Sequence, residues 1–157
     1  MLTLLFRVEH RVGKARGTLY GCPVTDLVEI VPLRPVTRLP GAPPYVRGLI
    51  NMRGTIVTVL DLRLRLDPTR TPIDRGSILV VRHRPAATAA GSRRGERLVG
   101  ALVAGVFDVR PLAVQRHATE RSDGGVVRGL GMVDEAARAA TVVVLDLDAL
   151  IEQALVA

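Results

Sequence analysis

The stretch Gly48–Leu66, GLINMRGTIVTVLDLRLRL, decides how the chain is read. It divides into two extended runs with a turn between them. Leu49 and Ile50 close the first run. Asn51-Met52-Arg53-Gly54 follows, with Asn first and Gly fourth, the residue placement of a type I turn. From Thr55 the residues alternate: Ile56, Leu60, Leu62, Leu64 and Leu66 share one parity, and Asp61, Arg63 and Arg65 the other. That period of two predicts a strand from Thr55 to Leu66 with one face buried and one wet. Val57 and Val59 fall on the second face, so the first half is expected to be covered on both sides. The turn requires Asn and Gly, but nothing in it requires an arginine at the tip. Arg53 is the residue of this stretch that structure alone explains least.

Working outward, 157 residues suit one domain, 1–157, with a core large enough to need no staples. At 48% hydrophobic and 24% charged, the chain is globular and not disordered. Aromatics are 3% with no Trp, so the core is built from Val, Leu, Ile and Ala. Abundant Val, 15 Gly and 10 Pro favour a β-rich, turn-rich fold. The net charge of +7 would suit an acidic partner, nucleic acid included. The arginines are scattered, however, and base-stacking aromatics are nearly absent, so compositional habit explains the charge better. Cys22 is alone, which excludes an intrachain disulfide and a cysteine-based zinc site. Leu2–Phe6 lacks the basic segment and cleavage site of a signal peptide. Leu98–Phe107 is too short to span a bilayer. The expectation is a soluble, cytoplasmic protein without direct membrane insertion.

Further strands are expected at Leu2–Val8, Thr18–Pro23, Ser77–His83, Leu98–Val109 (buried, with Gly100 and Gly105 marking bulges or close approach) and Thr141–Asp146. Val24–Val31 suits either a short helical turn or a bent strand. Pro32, Pro35, Pro40, Pro43 and Pro44 make Pro32–Pro44 a constrained connector, because each lacks a backbone N–H. Glu9–Gly17, Asp67–Pro72 and His117–Gly125 read as loops and linkers. Pro85–Gly95 reads as a mobile hairpin loop too poor in large apolar groups to pack. Gly129–Val133 enters a second hairpin, with Asp134–Ala140 as its long turn. A short helix closes the chain, capped by Asp146 or Asp148, with Leu147, Leu150, Ile151, Ala154 and Leu155 as its apolar stripe. Val57-Thr58-Val59-Leu60-Asp61-Leu62 echoes Val142-Val143-Val144-Leu145-Asp146-Leu147, each downstream of a Gly-Leu pair. The echo points to two similar small β units, against the plainer alternative that valine strands ending in Asp are common.

Motifs for catalysis are missing. No phosphate loop, dinucleotide fingerprint or nucleophile elbow is present. His10, His83 and His117 are far apart and read as solvated loop or strand-end residues. Asp61 and Asp146 read as caps of the turns that follow them. No cofactor and no metal is expected.

Taken together, the motifs resemble the CheW family, the coupling proteins of bacterial chemosensory arrays. Tyr20-Gly21-Cys22-Pro23-Val24 is similar to the family's second-strand start, Leu27-Val28-Glu29-Ile30 to its V-x-E-I segment, and Leu39-Pro40-Gly41-Ala42-Pro43 to its I-P-x-A-P connector. Gly48–Gly54 with Val57–Leu62 resembles its signature hairpin, Gly105-Val106-Phe107-Asp108-Val109 its D-x-V-x-D-V strand end, and Gly129-Leu130-Gly131 its later glycine turn. The common order and spacing of these segments carry the resemblance over nearly the whole length. Thr58, Met52 and Ala104 depart from the family's Pro, Leu and Asp. Glu9–Gly17 and Pro85–Gly95 look like insertions.

The resemblance implies an all-β fold of two SH3-like five-stranded β-barrels side by side, with a short C-terminal helix. It implies a non-enzymatic adaptor in the cytoplasm, at receptor arrays on the inner membrane. The partners it implies are the regulatory domain of a CheA histidine kinase and the cytoplasmic tips of methyl-accepting chemoreceptors. Leu27, Glu29, Ile30, Gly48, Asn51, Arg53 and Gly54 are the protein-binding residues on this reading, with Glu29 and Arg53 facing each other. The competing reading is a basic β-barrel that binds nucleic acid, gathering Arg63, Arg65, Arg82 and Arg84 on one stripe. An adaptor should instead expose apolar side chains near Leu27, Ile30 and the Gly48 hairpin.

Overall fold

The computed structural model describes residues 1–9, 17–85, 95–116, 125–135 and 137–156. In chain order the elements are β1 Leu2–Arg7, β2 Leu19–Pro23, β3 Leu27–Pro32, β4 Val46–Met52, β5 Thr55–Asp61, α1 Leu62–Leu66, β6 Ser77–His83, β7 Arg97–Val103, β8 Gly105–Pro111, β9 Val127–Glu135, β10 Arg138–Leu145 and α2 Leu147–Val156. They form two five-stranded SH3-like barrels, ordered β8-β1-β2-β10-β9 and β3-β6-β7-β5-β4. We call them the first and second barrel. The second is continuous in sequence and sits between β2 and β8 of the first.

The echo in the sequence is a repeat in space. In each barrel a hairpin (β4–β5, β9–β10) adds its second strand in parallel to another hairpin, β5 to β7 and β10 to β2. Gly48 and Gly129 both adopt positive φ, 141° and 158°, and a Cβ at either would overlap a connector carbonyl, Thr37 or Gln115. Asp61 and Asp146 then end their hairpins alike, accepting from Leu64 N at 3.1 Å and Ala149 N at 3.0 Å. One small core fills each barrel, around Val57, Val59 and Ile78 in the second and Leu5, Val142 and Val144 in the first. The largest core lies between them, where Leu4, Phe6 and Cys22 meet Leu60, Leu79, Val81 and Ile151. Burying apolar area on that seam presses the barrels together.

Several expectations change. The strand expected over Thr55–Leu66 ends at Asp61, whose carboxylate turns Leu62–Leu66 into a short helix. Ile56, assigned to the buried face, is 67% exposed, because Val57 and Val59 face the barrel core instead. The first hairpin turn is not type I over Asn51–Gly54. Met52 pairs with Thr55, so the loop is Arg53-Gly54 alone, with φ of 51° and 86°. Positive φ at both central residues is the signature of the primed turn that suits strand twist. The second hairpin has an equally short connection, since Glu135 pairs with Arg138 and the expected long turn is mostly strand. Leu98–Val109 is not one buried strand: it breaks at Ala104 into β7 and a largely exposed β8 in the other barrel.

Val24–Val31 proves to be both alternatives in turn, a 3-10 turn over Val24–Asp26 and then a strand. His83 does end a strand, β6, but it is not solvated: it is 1% exposed, its ring nitrogens 2.7 Å from Asp148 and 3.0 Å from Glu152 on α2. His10 and His117, and the interiors of the Glu9–Gly17, Pro85–Gly95 and His117–Gly125 loops, lie outside the described residues. The Arg82–Leu98 and His83–Arg97 pairs do make the 85–95 segment a hairpin connection.

Candidate functional site

Of the candidate residues, Glu29, Asn51, Arg53 and Gly54 meet where the edge strand β3 faces the tip of the β4–β5 hairpin, and Gly48 lies away from it. Asn51 Oδ1 accepts from Gly54 N at 2.8 Å, which closes the turn. Gly48 serves the connector, since Thr37 and Leu49 exchange both backbone hydrogen bonds beside it, at 2.9 and 2.8 Å. Arg53 occupies the left-handed region, at φ 51°, which non-glycine residues seldom adopt. Its guanidinium donates to Glu29 Oε2 across the gap between hairpin and edge strand. The Arg53 side chain is 77% exposed and that of Glu29 30%. A pair so placed adds ~0–1 kcal/mol to folding, so fold stability gives little reason for a strained arginine here.

Around the pair lie apolar side chains in water. Val28 and Ile30, the neighbours of Glu29, are 38% and 42% exposed. Ile56, paired across the hairpin with Asn51, is more exposed still. Leu27 is only half-buried and packs against the central core, so of the two expected apolar residues Ile30 is the freer. Sequence reading missed Val28 and Ile56. Ile56 had a usable signal: two nearby valines, 57 and 59, on the opposite parity compete for the inside.

Of the arginines expected on a nucleic-acid stripe, Arg63 and Arg84 are committed to polar partners within the chain. Arg63 donates to Thr71 O at 2.8 Å and Pro72 O at 2.9 Å. Arg84 pairs with Glu96 at 3.0 Å, and Arg65 lies over the Tyr45 ring at 5.3 Å. Burial pushes the Cys22 thiol up to about 12, with Asp26 adding to the shift and Arg128 easing it, so the thiolate needed for nucleophilic chemistry is withheld. Among the described residues no cluster of His, Cys, Asp or Glu is placed to hold a metal ion. No helix of the described residues is long and apolar enough to cross a membrane.

Paired SH3-like barrels, with an exposed ion pair and aliphatic side chains on an outer edge, define a small β scaffold. The CheW-like domain model matches residues 3–155. A CheW chemotaxis protein of Klebsiella aerogenes is 30% identical over 97 residues, 62% of this chain and 52% of that one. That of Bacillus subtilis is 38% identical over 74 residues, 46% of this chain and 47% of that one. The matched stretches thus span about half the length of these relatives. The scaffolding protein TtCheW of Thermoanaerobacter tengcongensis superposes with a TM-score of 0.66, covering 95% of this chain and 86% of that one at 23% identity, a likeness of fold. The chain belongs to the CheW family.

Proposed function

We propose that this protein is a non-enzymatic adaptor that couples chemoreceptor tips to the regulatory domain of a CheA-type histidine kinase at cytoplasmic receptor arrays. Its partner-facing surface is the edge formed by Leu27, Val28, Glu29, Ile30, Ile56 and the Asn51–Gly54 turn. The observation that carries this reading is the Glu29–Arg53 pair, solvent-facing, built on a strained arginine and flanked by exposed aliphatics. Partner surfaces combine an apolar centre with a few oriented charges, and arginine is favoured in them. When a partner excludes water from the pair, its hydrogen bonds strengthen, and truncating one member costs ~2–5 kcal/mol of binding. The family assignment supports the same reading.

The test is co-sedimentation of the organism's kinase with receptor cytoplasmic fragments, using wild type, Glu29→Ala, Arg53→Ala and the double variant. Each single change should weaken assembly strongly while leaving the urea midpoint nearly unchanged. The double variant should lose less than the sum, since the first change already breaks the pair. Intact assembly in all three would remove this surface from the function.

A further inference from the structure

On the seam between the barrels is a cavity of ≈ 320 Å³ that shares no residue with the proposed partner surface. Tyr20 of β2, Val143 of β10, Val126 and Leu150 of α2 line it from the first barrel, and Arg65 and Leu66 of α1 line it from the second. Its size lies at the lower end of small-molecule sites. The lining residues are aliphatic and aromatic except for Gln153 and Arg65.

Arg65 is placed unlike Arg63 two residues before it. Its Nε is buried without a hydrogen-bond partner among the described residues, and its guanidinium faces a ring and not a carboxylate. Such buried orphan donors are rare and costly. The ring is that of Tyr45, whose hydroxyl donates to Ala154 O at 2.7 Å and so fixes the platform. An oriented guanidinium presents a fork that matches a carboxylate. Burial, together with the Glu9 carboxylate, raises the Tyr20 phenol further, so that wall stays neutral. Glu9 itself is engaged by Arg70 at 3.1 Å.

We infer that this cavity binds a small amphipathic monocarboxylate, an aliphatic or aromatic acid whose apolar body fills the seam and whose carboxylate takes the Arg65 fork. One cation neutralises one charge, and a dianionic phosphate would leave the second unpaired beside apolar walls. Because the walls belong to both barrels, the occupant bridges them and stabilises the chain by mass action.

The experiment titrates the full chain with decanoate, decanol and decyltrimethylammonium, read by calorimetry and by amide chemical shifts. Decanoate should bind saturably, one to one, moving the amides of Val126, Val143 and Leu150. Decanol and the cation should bind about tenfold more weakly or worse. Arg65→Met, its fold checked by circular dichroism, should cost decanoate a similar factor, and Val143→Phe should fill the cavity and abolish binding with the arginine intact. If either variant fails to fold, the head-group comparison on the unmodified chain remains decisive. Equal affinity for decanoate and decanol, an unaffected Arg65→Met, or no saturable decanoate binding overturns the inference. So does an acetylated apolar peptide with a free C-terminus that binds more tightly than decanoate, which would assign the site to a protein terminus.

Discussion

The two barrels expose the same edge but pair its charges differently. Register sets the correspondence: Val31 pairs with Ile78 and Glu29 with Val80 in the second barrel, as Arg110 pairs with Thr3 and Asp108 with Leu5 in the first. A register shift follows in both, and a Cβ at Gly100 or Gly21 would overlap Ile78 or Thr3. Glu29 therefore corresponds to Asp108. Glu29 reaches out to the tip of the neighbouring hairpin, where Arg53 meets it in solvent. Asp108 instead holds Arg110 on its own strand at 2.7 Å, and Arg110 donates onward to Asp134 O at 2.9 Å. Beside it Arg7 grips both oxygens of Glu135, at 2.8 and 3.0 Å, with side chains only 13% and 15% exposed, and packs over Phe107. The first barrel pairs its edge charges along one strand and onto the β9 backbone, with Asp108 still exposed and Arg110 partly so. The second sets its pair between edge strand and hairpin tip.

The sharpest way to break this comparison is at the two capping aspartates. Asp61 is fully buried, accepts from Leu64 N and from Ile73 N at 2.8 Å, and faces Arg47 at 3.5 Å. Asp146 is 28% exposed and holds one cap bond and a looser arginine at 3.6 Å. Asp61→Ala should lose about 3–5 kcal/mol by leaving two buried amides unpaired and loosening Arg47, and Asp146→Ala about 1 kcal/mol, both read from urea unfolding. A single transition in each would also support the one-domain expectation. Next in size, Arg7→Ala should cost about 1.5–3 kcal/mol of stability and spare kinase assembly. Arg53→Ala should do the reverse, and equal stability losses would erase the distinction between the barrels.

The smallest effect is in the pH profile. The Arg110 guanidinium and the Val109 N–H hold the Asp108 carboxyl below its usual value. A depressed carboxyl stabilises the fold above its unfolded value and loses that contribution as pH falls through the folded one. Asp108→Asn should therefore lower stability slightly at neutral pH, leave it unaltered below the folded value, and so flatten the acid limb of the stability profile. An unchanged acid limb would mean that the contact in the first barrel is idle.

The β-rich class, the repeat, the bounds of Ser77–His83 and the Asp146 cap were all legible in the order of residues alone, because period and capping are local signals. Glu29 and Arg53 were legible for another reason: each was a residue its own local structure did not need. What escaped was settled by competition between signals. Leu62, Leu64 and Leu66 keep strand parity, yet one carboxylate at Asp61 provides a helix start that parity cannot show. The apolar run through Ala104 hid a change of barrel, since both halves read as valine strand. His83 and Arg65 owe their settings to α2 and Tyr45, distant in sequence, and no local pattern announces such neighbours.

The nesting of one barrel inside the other has a consequence for synthesis on the ribosome. Residues 27–103 form a contiguous block, so the second barrel can close as soon as Val103 has emerged. The β1–β2 hairpin appears first but must wait, with both outer edges unpaired, until β8 and β10 are made. Unpaired edges invite misassociation. The seam core offers shelter meanwhile, because Leu4, Phe6 and Cys22 can settle against Leu60, Leu79 and Val81 of the finished block. Ribosome-stalled chains that display residues up to Val103 should accordingly resist protease over 27–83 and 97–103. Cleavage there as rapid as in shorter chains would show that the inserted barrel needs its host to fold.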